Sequence, residues 1–429
     1  MNGMNPKKLV RSVLPKRGIE LAEETYRKSR IYALQAKEGF PAKGLRVIAV
    51  TGTNGKTTTC LYINEMLKSC GYTTALFTTA VTEMAGKTTA NTIHRTVPLT
   101  ADLLKFYKTA KQKRVDFVVL ETTSQALDQH KLIGTPIEVA VMTNLTQDHL
   151  DYHGTMEAYA AAKARLFNSY MNPKKVVLNR DDEWFDYYNK QAVGLVTTYG
   201  ISTKSDLRLS ELQVTAHGSH AKAQFAGQSL QLQTSLVGQF NAYNAAAAAA
   251  VGLVLDIPAE KVATGVASLK AVPGRMESIN AGQDFGVVVD YAHTPDALKN
   301  VLSTLQQVTK GKVIAVFGAT GDRDKAKRPI MGEVAAKYAD HIFLTDDETY
   351  TENPDTIRAA VMKGIANVGA TKKTTEVADR KQAIQAAFKM AKKGDVVLLA
   401  GLGHQDYRAM GGKNMPWDER QVAHELLKK

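Results

Sequence analysis

From residue 45 onward the chain alternates short, branched apolar runs with segments of helical period. That alternation restricts the fold to helices packed on a mostly parallel sheet. The runs LRVIAVT (45–51), VDFVVLE (115–121), IEVAVMTN (137–144) and KVVLN (175–179) are too short for helices. They are also too uniformly apolar for a sheet wetted on one face, so they read as strands buried on both sides. Residues 57–70 and 155–170 read as intervening helices. Residues 206–237 break the pattern: apolar and polar residues alternate, with Gly218 and Gly227 at turns, which predicts a short antiparallel meander on the same domain. Next comes NAYNAAAAAAVGLVL (241–255), a helix whose six consecutive alanines permit close backbone approach. A second βα series starts near Pro273, with strands over 285–290, 312–318, 341–345 and 395–400. Helices follow near 295–307, 329–338, 354–366 and 380–392, a Rossmann-like pattern. The domain reading is a helical extension over 1–44, a central domain over 45–271 and a C-terminal domain over 272–429. In the extension, Ile19, Leu21, Ala22, Tyr26, Ile31 and Leu34 suit one face of a docked helix over 18–37, ended by Gly39-Phe40-Pro41.

Composition removes several classes. No run of 18 apolar residues exists, so no transmembrane segment is expected. The N-terminus is basic but lacks the apolar stretch and cleavage site of a signal peptide. Two cysteines, Cys60 and Cys70, build neither a disulfide framework nor an all-cysteine zinc site, and a cytoplasmic protein is expected. The net charge of +13 is spread along the chain without an arginine-rich arm or an aromatic RNA-binding motif. A solvated basic surface therefore fits better than specific nucleic-acid binding.

The chemistry-bearing residues sit where strands end. Thr51-Gly52-Thr53-Asn54-Gly55-Lys56-Thr57-Thr58-Thr59 lies between the first strand and the first helix. Glycines let backbone amides wrap a phosphate chain, the helix N-terminus favours anions, Lys56 reaches the β/γ-phosphates and Thr57 offers a hydroxyl to Mg²⁺. Val50 departs from the strict phosphate-loop pattern, which wants glycine there. Glu121 ends a strand beside this loop, placed either for Mg²⁺ or as a solvated strand end. His149 in DHLDYHG (148–154) suits a cation ligand or a structural histidine. Lys163 alone reads as a solvent-facing helix lysine. Asn241 suits either a helix cap or a base contact. Arg275 in PGRME suits a γ-phosphate reached across a cleft, and Asp290 in DYAHTP suits a ribose.

Taken in order, TGTNGKTTT, ETTS, MTNLTQDHLDYHG, AAK, GQFNAYN, PGRME, VVVDYAHTPDAL, FGATGDRDKAKRP and GLGHQDY resemble the Mur ligase family over about residues 45–429. Within it they are most similar to the branch that adds the third peptide residue to peptidoglycan precursors. The resemblance implies a central P-loop ATPase domain with a parallel sheet and small meander, then a Rossmann-like α/β domain. It implies an ATP-dependent amide ligase that uses Mg²⁺ and small-molecule substrates, and a monomer. ATP contacts are expected from Gly52, Thr53, Asn54, Gly55, Lys56, Thr57, Thr58, Asn241, Arg275 and Asp290. Thr57, Glu121, His149 and Lys163 are expected at Mg²⁺, with Lys163 carbamylated. Lys56, Lys163, His149 and Arg275 form the expected catalytic set. Thr96, Ser124, Arg323, Asp347, Glu348, Tyr350, Gly403 and Gln405 are the expected substrate contacts, with Arg323 at the incoming amino acid's carboxylate. In the implied reaction a carboxylate takes the γ-phosphoryl group of ATP, and an amine displaces phosphate from the acyl phosphate.

Three departures stand out. Only 50 residues precede Thr51, so no separate uridine-diphosphate-binding domain is expected. Asp347-Glu348-Thr349-Tyr350 replaces the Asp-Asn-Pro-Arg of diaminopimelate-adding members. Gly403-His404-Gln405 replaces their Gly-His-Glu. These changes favour lysine or ornithine as the added amino acid. The alternatives are an amide ligase resembling folylpolyglutamate or cyanophycin synthetases, and a partner-dependent member with little activity alone.

Overall fold

The computed structural model describes residues 16–91, 93 and 96–428. Eleven of the described strands form one sheet: β1 (Val47–Thr51), β2 (Thr74–Phe77), β3 (Val81–Met84), β4 (Lys87–Ala90), β5 (Phe117–Glu121), β6 (Ile137–Met142), β7 (Lys175–Asn179), β8 (Leu195–Gly200), β9 (Leu207–Thr215), β10 (Gly218–Phe225) and β11 (Gln228–Thr234). Their order is β11-β10-β9-β8-β7-β6-β1-β5-β2-β3-β4. Strand β1 lies parallel between β5 and β6, with every residue buried, as its unbroken apolar run requires. The meander is a direct extension of this sheet, because β9 pairs in parallel with β8.

Helices cover both faces. On one side pack Lys56–Ser69, the alanine helix Gln239–Val254 and Ala259–Ala267. Alanines 245–250 are all buried there. A Cβ on Gly265 would lie 2.9 Å from the Met66 backbone and one on Gly252 2.8 Å from Met66 Sδ, so the small residues set how closely these helices approach. The other side carries Thr100–Gln112 and Met156–Ala164.

The second sheet contains β12 (Glu277–Ser278), β13 (Gly286–Asp290), β14 (Val313–Phe317), β15 (His341–Leu344), β16 (Thr374–Glu376) and β17 (Val396–Ala400), in the order β12-β13-β17-β14-β15-β16. All pairs but β12·β13 are parallel. Pro295–Val308, Lys327–Tyr338 and Pro354–Asn367 cover one face, and Arg380–Met390 and Glu419–Leu427 the other. A hairpin of β18 (Tyr407–Met410) and β19 (Lys413–Pro416) stands apart.

The helix expected over 18–37 runs Lys16–Lys37 and docks through Ile31, Leu34 and Gln35, while Ile19 and Leu21 lie outside the residues whose side chains are described. Tyr26, expected on the docked face, is 67% exposed, and Ala22 is exposed as well. The helix expected to reach residue 170 ends at Ala164. Beyond it the chain tightens, Leu166 N donating to Lys163 O and Phe167 N to Ala164 O, and both side chains enter the core. The strands β2, β3, β4, β8, β12, β16, β18 and β19 are not among the expected ones; β4, for instance, is exposed at all four residues and carries no apolar pattern.

Candidate active site

Strands β1, β5 and β6 end side by side, so the loops that follow them converge: 51–56 after β1, 121–124 after β5 and 143–149 after β6. This is the edge where parallel sheets bind ligands. A Cβ on Gly52 would lie 1.8 Å from Thr143 Oγ1. Gly55, at φ 82°, caps the helix Lys56–Ser69, and a Cβ there would lie 2.3 Å from Asn244 Oδ1. Both glycines are thus demanded by side chains packed against the loop, Thr143 and Asn244.

Lys56 folds back over its own loop, Nζ donating to Gly52 O at 3.1 Å and Thr53 O at 2.8 Å. Burial lowers its pKa, against the opposing pull of Glu121. Thr57 Oγ1 donates to Glu121 Oε2 at 3.0 Å. The buried Glu121 also accepts from Thr79 N (2.8 Å) and Thr79 Oγ1 (3.0 Å), and Thr79 Oγ1 lies 2.7 Å from Thr96 Oγ1. A Thr hydroxyl and a carboxylate in contact beside a phosphate loop fit Mg²⁺, which takes one or two protein ligands and fills its shell with phosphate oxygens and water.

Lys163 is not solvent-facing. It is 1% exposed, donates to Gly52 O at 2.8 Å and lies 4.6 Å from the centre of the Tyr159 ring. No carboxylate lies within salt-bridge distance of it among the described residues. Burial, reinforced by Lys56, drives its pKa well below the usual lysine range. That direction favours the neutral amine, the form that reacts with CO₂.

His149 has a left-handed backbone, φ 55°, uncommon outside glycine and often seen at functional sites. Its Nε2 lies 3.4 Å from Asp148 Oδ2, yet burial pulls its pKa down to about 4, leaving a neutral imidazole free to ligate a cation. Asp148 itself stays ionised despite burial, held well below the usual carboxylate range by Lys327 at 3.6 Å and by the His149 backbone N–H, which donates to its Oδ1 at 2.9 Å. Lys327 belongs to the second domain, so this ion pair bridges the cleft. Gln147 Nε2 donating to Asp324 Oδ2 at 3.0 Å is a second bridge.

The second domain brings Arg275 against the loop, Nη2 donating to Thr57 Oγ1 at 3.4 Å, with its guanidinium 4.7 Å from the Tyr291 ring centre. Asp290 accepts from Met276 N at 2.7 Å, and burial raises its pKa to about 6. Both residues line a cavity of about 410 Å³ with Asn54, Gly55, Thr58 and Asn244. A separate cavity of about 290 Å³ is lined by Thr96, His149, Arg323, Glu348, Tyr350 and Gln405, among others. In it Gln405 Nε2 donates to Glu348 Oε2 at 3.2 Å, and Arg323 Nη2 donates to Tyr350 Oη at 3.2 Å. Burial and the neighbouring Asp347 raise the pKa of Glu348. Neither Arg323 nor Glu348 has an ion-pair partner within 4 Å among the described residues. Gln405 Oε1 is buried with no partner among them.

Asn241, Ser124, Asp347 and Gly403, all expected contacts, do not line either cavity. Asn241 spends its amide on Val237 O (2.9 Å) and its oxygen on Asn244 (3.2 Å), and Asn244 is the one that reaches Gly55. Ser124 Oγ lies 2.8 Å from His153 Nε2. Asp347 props the pocket, accepting from Glu348 N at 2.7 Å, with Arg380 Nη1 3.7 Å away. Gly403, at φ 55°, lets its loop approach Tyr291, where a Cβ would lie 2.7 Å from that side chain. The sequence reading missed Asp148, Lys327, Asn244 and Asp296. Asp148 alone carried a local signal, as the neighbour of His149.

The grouping can neutralise a transferring phosphoryl group with Lys56 and Arg275 while walling it from water between two domains. Residues 50–252 match a family described as the Mur ligase middle domain, and residues 274–403 match the Mur ligase, glutamate ligase domain. The UDP-N-acetylmuramoyl-L-alanyl-D-glutamate--2,6-diaminopimelate ligase of Syntrophomonas wolfei is 39% identical over 392 residues, 91% of this chain and 80% of its own. The enzyme of the same name from Geobacillus kaustophilus is 41% identical over 399 residues, 91% of this chain and 80% of its own. A solved structure of a UDP-N-acetylmuramoyl-L-alanyl-D-glutamate--2,6-diaminopimelate ligase superposes with a TM-score of 0.62 at 36% identity, covering 90% of this chain and 79% of its own.

Proposed function

The chain belongs to the Mur ligase family, and we propose that its two cavities hold ATP and an incoming amino acid on either side of a shared reaction centre. It is an ATP-dependent, ADP-forming amide ligase that joins an amino acid to a carboxylate of a peptidoglycan-precursor peptide. The observation that carries the site assignment is Lys163. A lysine this buried, with a carbonyl and an aromatic ring for company, has no structural need of its charge.

In this reading the backbone amides of residues 52–58 wrap the triphosphate. Asn54, Gly55, Thr58, Arg275 and Asp290 line its cavity. Lys56 swings from the loop carbonyls to the β/γ-phosphates, and Arg275 meets the γ-phosphate from the other domain. Thr57 and Glu121 would hold Mg²⁺, with His149 and a carbamylated Lys163 at a second ion; the metal supplies charge neutralisation when bound. The acceptor carboxylate attacks the γ-phosphorus, ADP leaves, and the amine then attacks the acyl carbon and expels phosphate. Closure of the domains, bridged by Asp148–Lys327 and Gln147–Asp324, keeps water from the acyl phosphate.

The relatives' names specify 2,6-diaminopimelate. The pocket here supports a different amino acid. Arg323 suits one carboxylate, and Glu348 with the unpartnered Gln405 oxygen suits one ammonium. Tyr350 offers a neutral hydroxyl where a second carboxylate would want a guanidinium. Lysine or ornithine balances these groups. We infer a cytoplasmic monomer acting on small molecules; among the described residues no helix is long and apolar enough to cross a membrane. ADP release, measured with the muramoyl dipeptide nucleotide and with short γ-glutamyl peptides against a panel of amino acids, tests the reading. Turnover only with the latter acceptors would favour the folylpolyglutamate-like alternative.

A further inference from the structure

Asn54, at the tip of the phosphate loop, is gripped from both domains. Its own domain fixes its backbone: Asn54 N donates to Asn144 Oδ1 at 2.9 Å, and Asn54 O accepts from Thr143 Oγ1 (2.6 Å) and Asn144 Nδ2 (3.1 Å). Its side chain points the other way, Nδ2 donating to Asp296 Oδ2 at 2.7 Å. Asp296 lies in the first turn of the helix Pro295–Val308, capped by Thr294, and the same carboxylate oxygen accepts from Asn300 Nδ2 at 3.2 Å. Ala297, Asn300, Val301 and Thr304 of that helix form one wall of the 410 Å³ cavity, while Asn54, Gly55 and Thr58 form the facing wall.

We propose that Asp296 is a positioning residue that clasps the two walls of the nucleotide cavity together through Asn54, and so governs how fast nucleotide leaves. The proposal rests on the reading of that cavity as the ATP site. The carboxylate is spent on the loop's side chain and its own helix neighbour, so its effect on nucleotide passes through Asn54. It is a charge-assisted bond in a partly buried setting, the kind whose loss is felt most. The bridge Asp148–Lys327 lies beside the other cavity, so breaking the clasp leaves the amino-acid side closed.

Stopped-flow release of a fluorescent ADP analogue in the presence of Mg²⁺ tests this with the full chain. Asp296→Ala should release the analogue about tenfold faster, the loss of one charge-assisted bond, with KM for the amino acid unchanged. Asn54→Asp sets two carboxylates against each other and should be faster still. Asp296→Asn keeps the side-chain shape but gives up the charge, and its release rate should fall between those of wild type and Asp296→Ala. A wild-type release rate in Asp296→Ala overturns the clasp. So does an acceleration in Asp296→Asn as large as that in Asp296→Ala together with a lowered melting temperature, which marks general damage and not loss of one contact. If the wild-type protein does not bind the analogue at all, the ATP-site reading falls and the clasp with it; binding with unaltered release in the variants removes the clasp alone.

Discussion

Lys56 and Lys163 donate to the same acceptor, the carbonyl oxygen of Gly52, at 3.1 and 2.8 Å. Burial lowers the proton affinity of both amines, and Lys56 lowers that of Lys163 further. Lys163 has the fewer compensations, so it is the one expected to lose its proton and take up CO₂.

Carbamylation converts that neutral amine into an anion able to hold a cation. Lys163→Ala should therefore lose activity, and a short carboxylic acid should restore part of it by occupying the vacated space. Depleting bicarbonate should slow the wild-type enzyme reversibly and leave the rescued variant unaffected. Wild-type turnover in Lys163→Ala without additive would remove the carbamate from the mechanism.

Lys56 acts on charge in transfer, so its removal should cost rate more than fold. Lys56→Ala is expected to lower kcat by ~10²-fold or more, the scale of deleting one preorganised electrostatic group, while the melting temperature changes little. A loss under about threefold would show that the loop does not handle the phosphoryl group.

Amino-acid choice should follow the pocket's charge balance. At equal concentrations, lysine or ornithine should be incorporated ahead of meso-diaminopimelate, and Tyr350→Arg should move preference toward diaminopimelate. Because Glu348 must be ionised to receive an ammonium and its pKa is raised, KM for lysine should rise as pH falls through that raised value. Diaminopimelate winning the wild-type competition would refute the argument.

Asp290 predicts a pH signature in stability. Its pKa is raised to about 6 in the fold, against about 3.8 when exposed, so the ionised form is disfavoured by folding. That cost is absent well below pH 4, grows between the two values and is complete above pH 6. Asp290→Asn removes it. The variant's stability relative to wild type should climb over that window, with an upper bound of about 3 kcal/mol from the size of the shift. Denaturant unfolding at several pH values measures it; a pH-independent difference would place the carboxylate in a different environment.

Local pattern was sufficient for much of this. Uniformly apolar runs such as Val47–Thr51 and Val396–Ala400 declare strands buried on both faces, and phosphate-loop glycines with GKT at a helix start declare an anion site. Glu121 and Asp290 are legible at strand ends, because a parallel sheet gathers its C-terminal edges on one side. What the sequence could not encode locally was contact between distant segments. Lys163 reads as a surface lysine until the loop 111 positions earlier is laid against it. Asn241 and Asn244 are equivalent in the text, and only the close approach of the alanine helix to Gly55 selects the second. Asp148 finds Lys327, and Asn54 finds Asp296, solely because two separately folded sheets face each other across a cleft. Burial, and with it each depressed or raised pKa, depends on that packing; periodicity fixes which residues a strand presents, but only the docking of the two domains fixes what they meet.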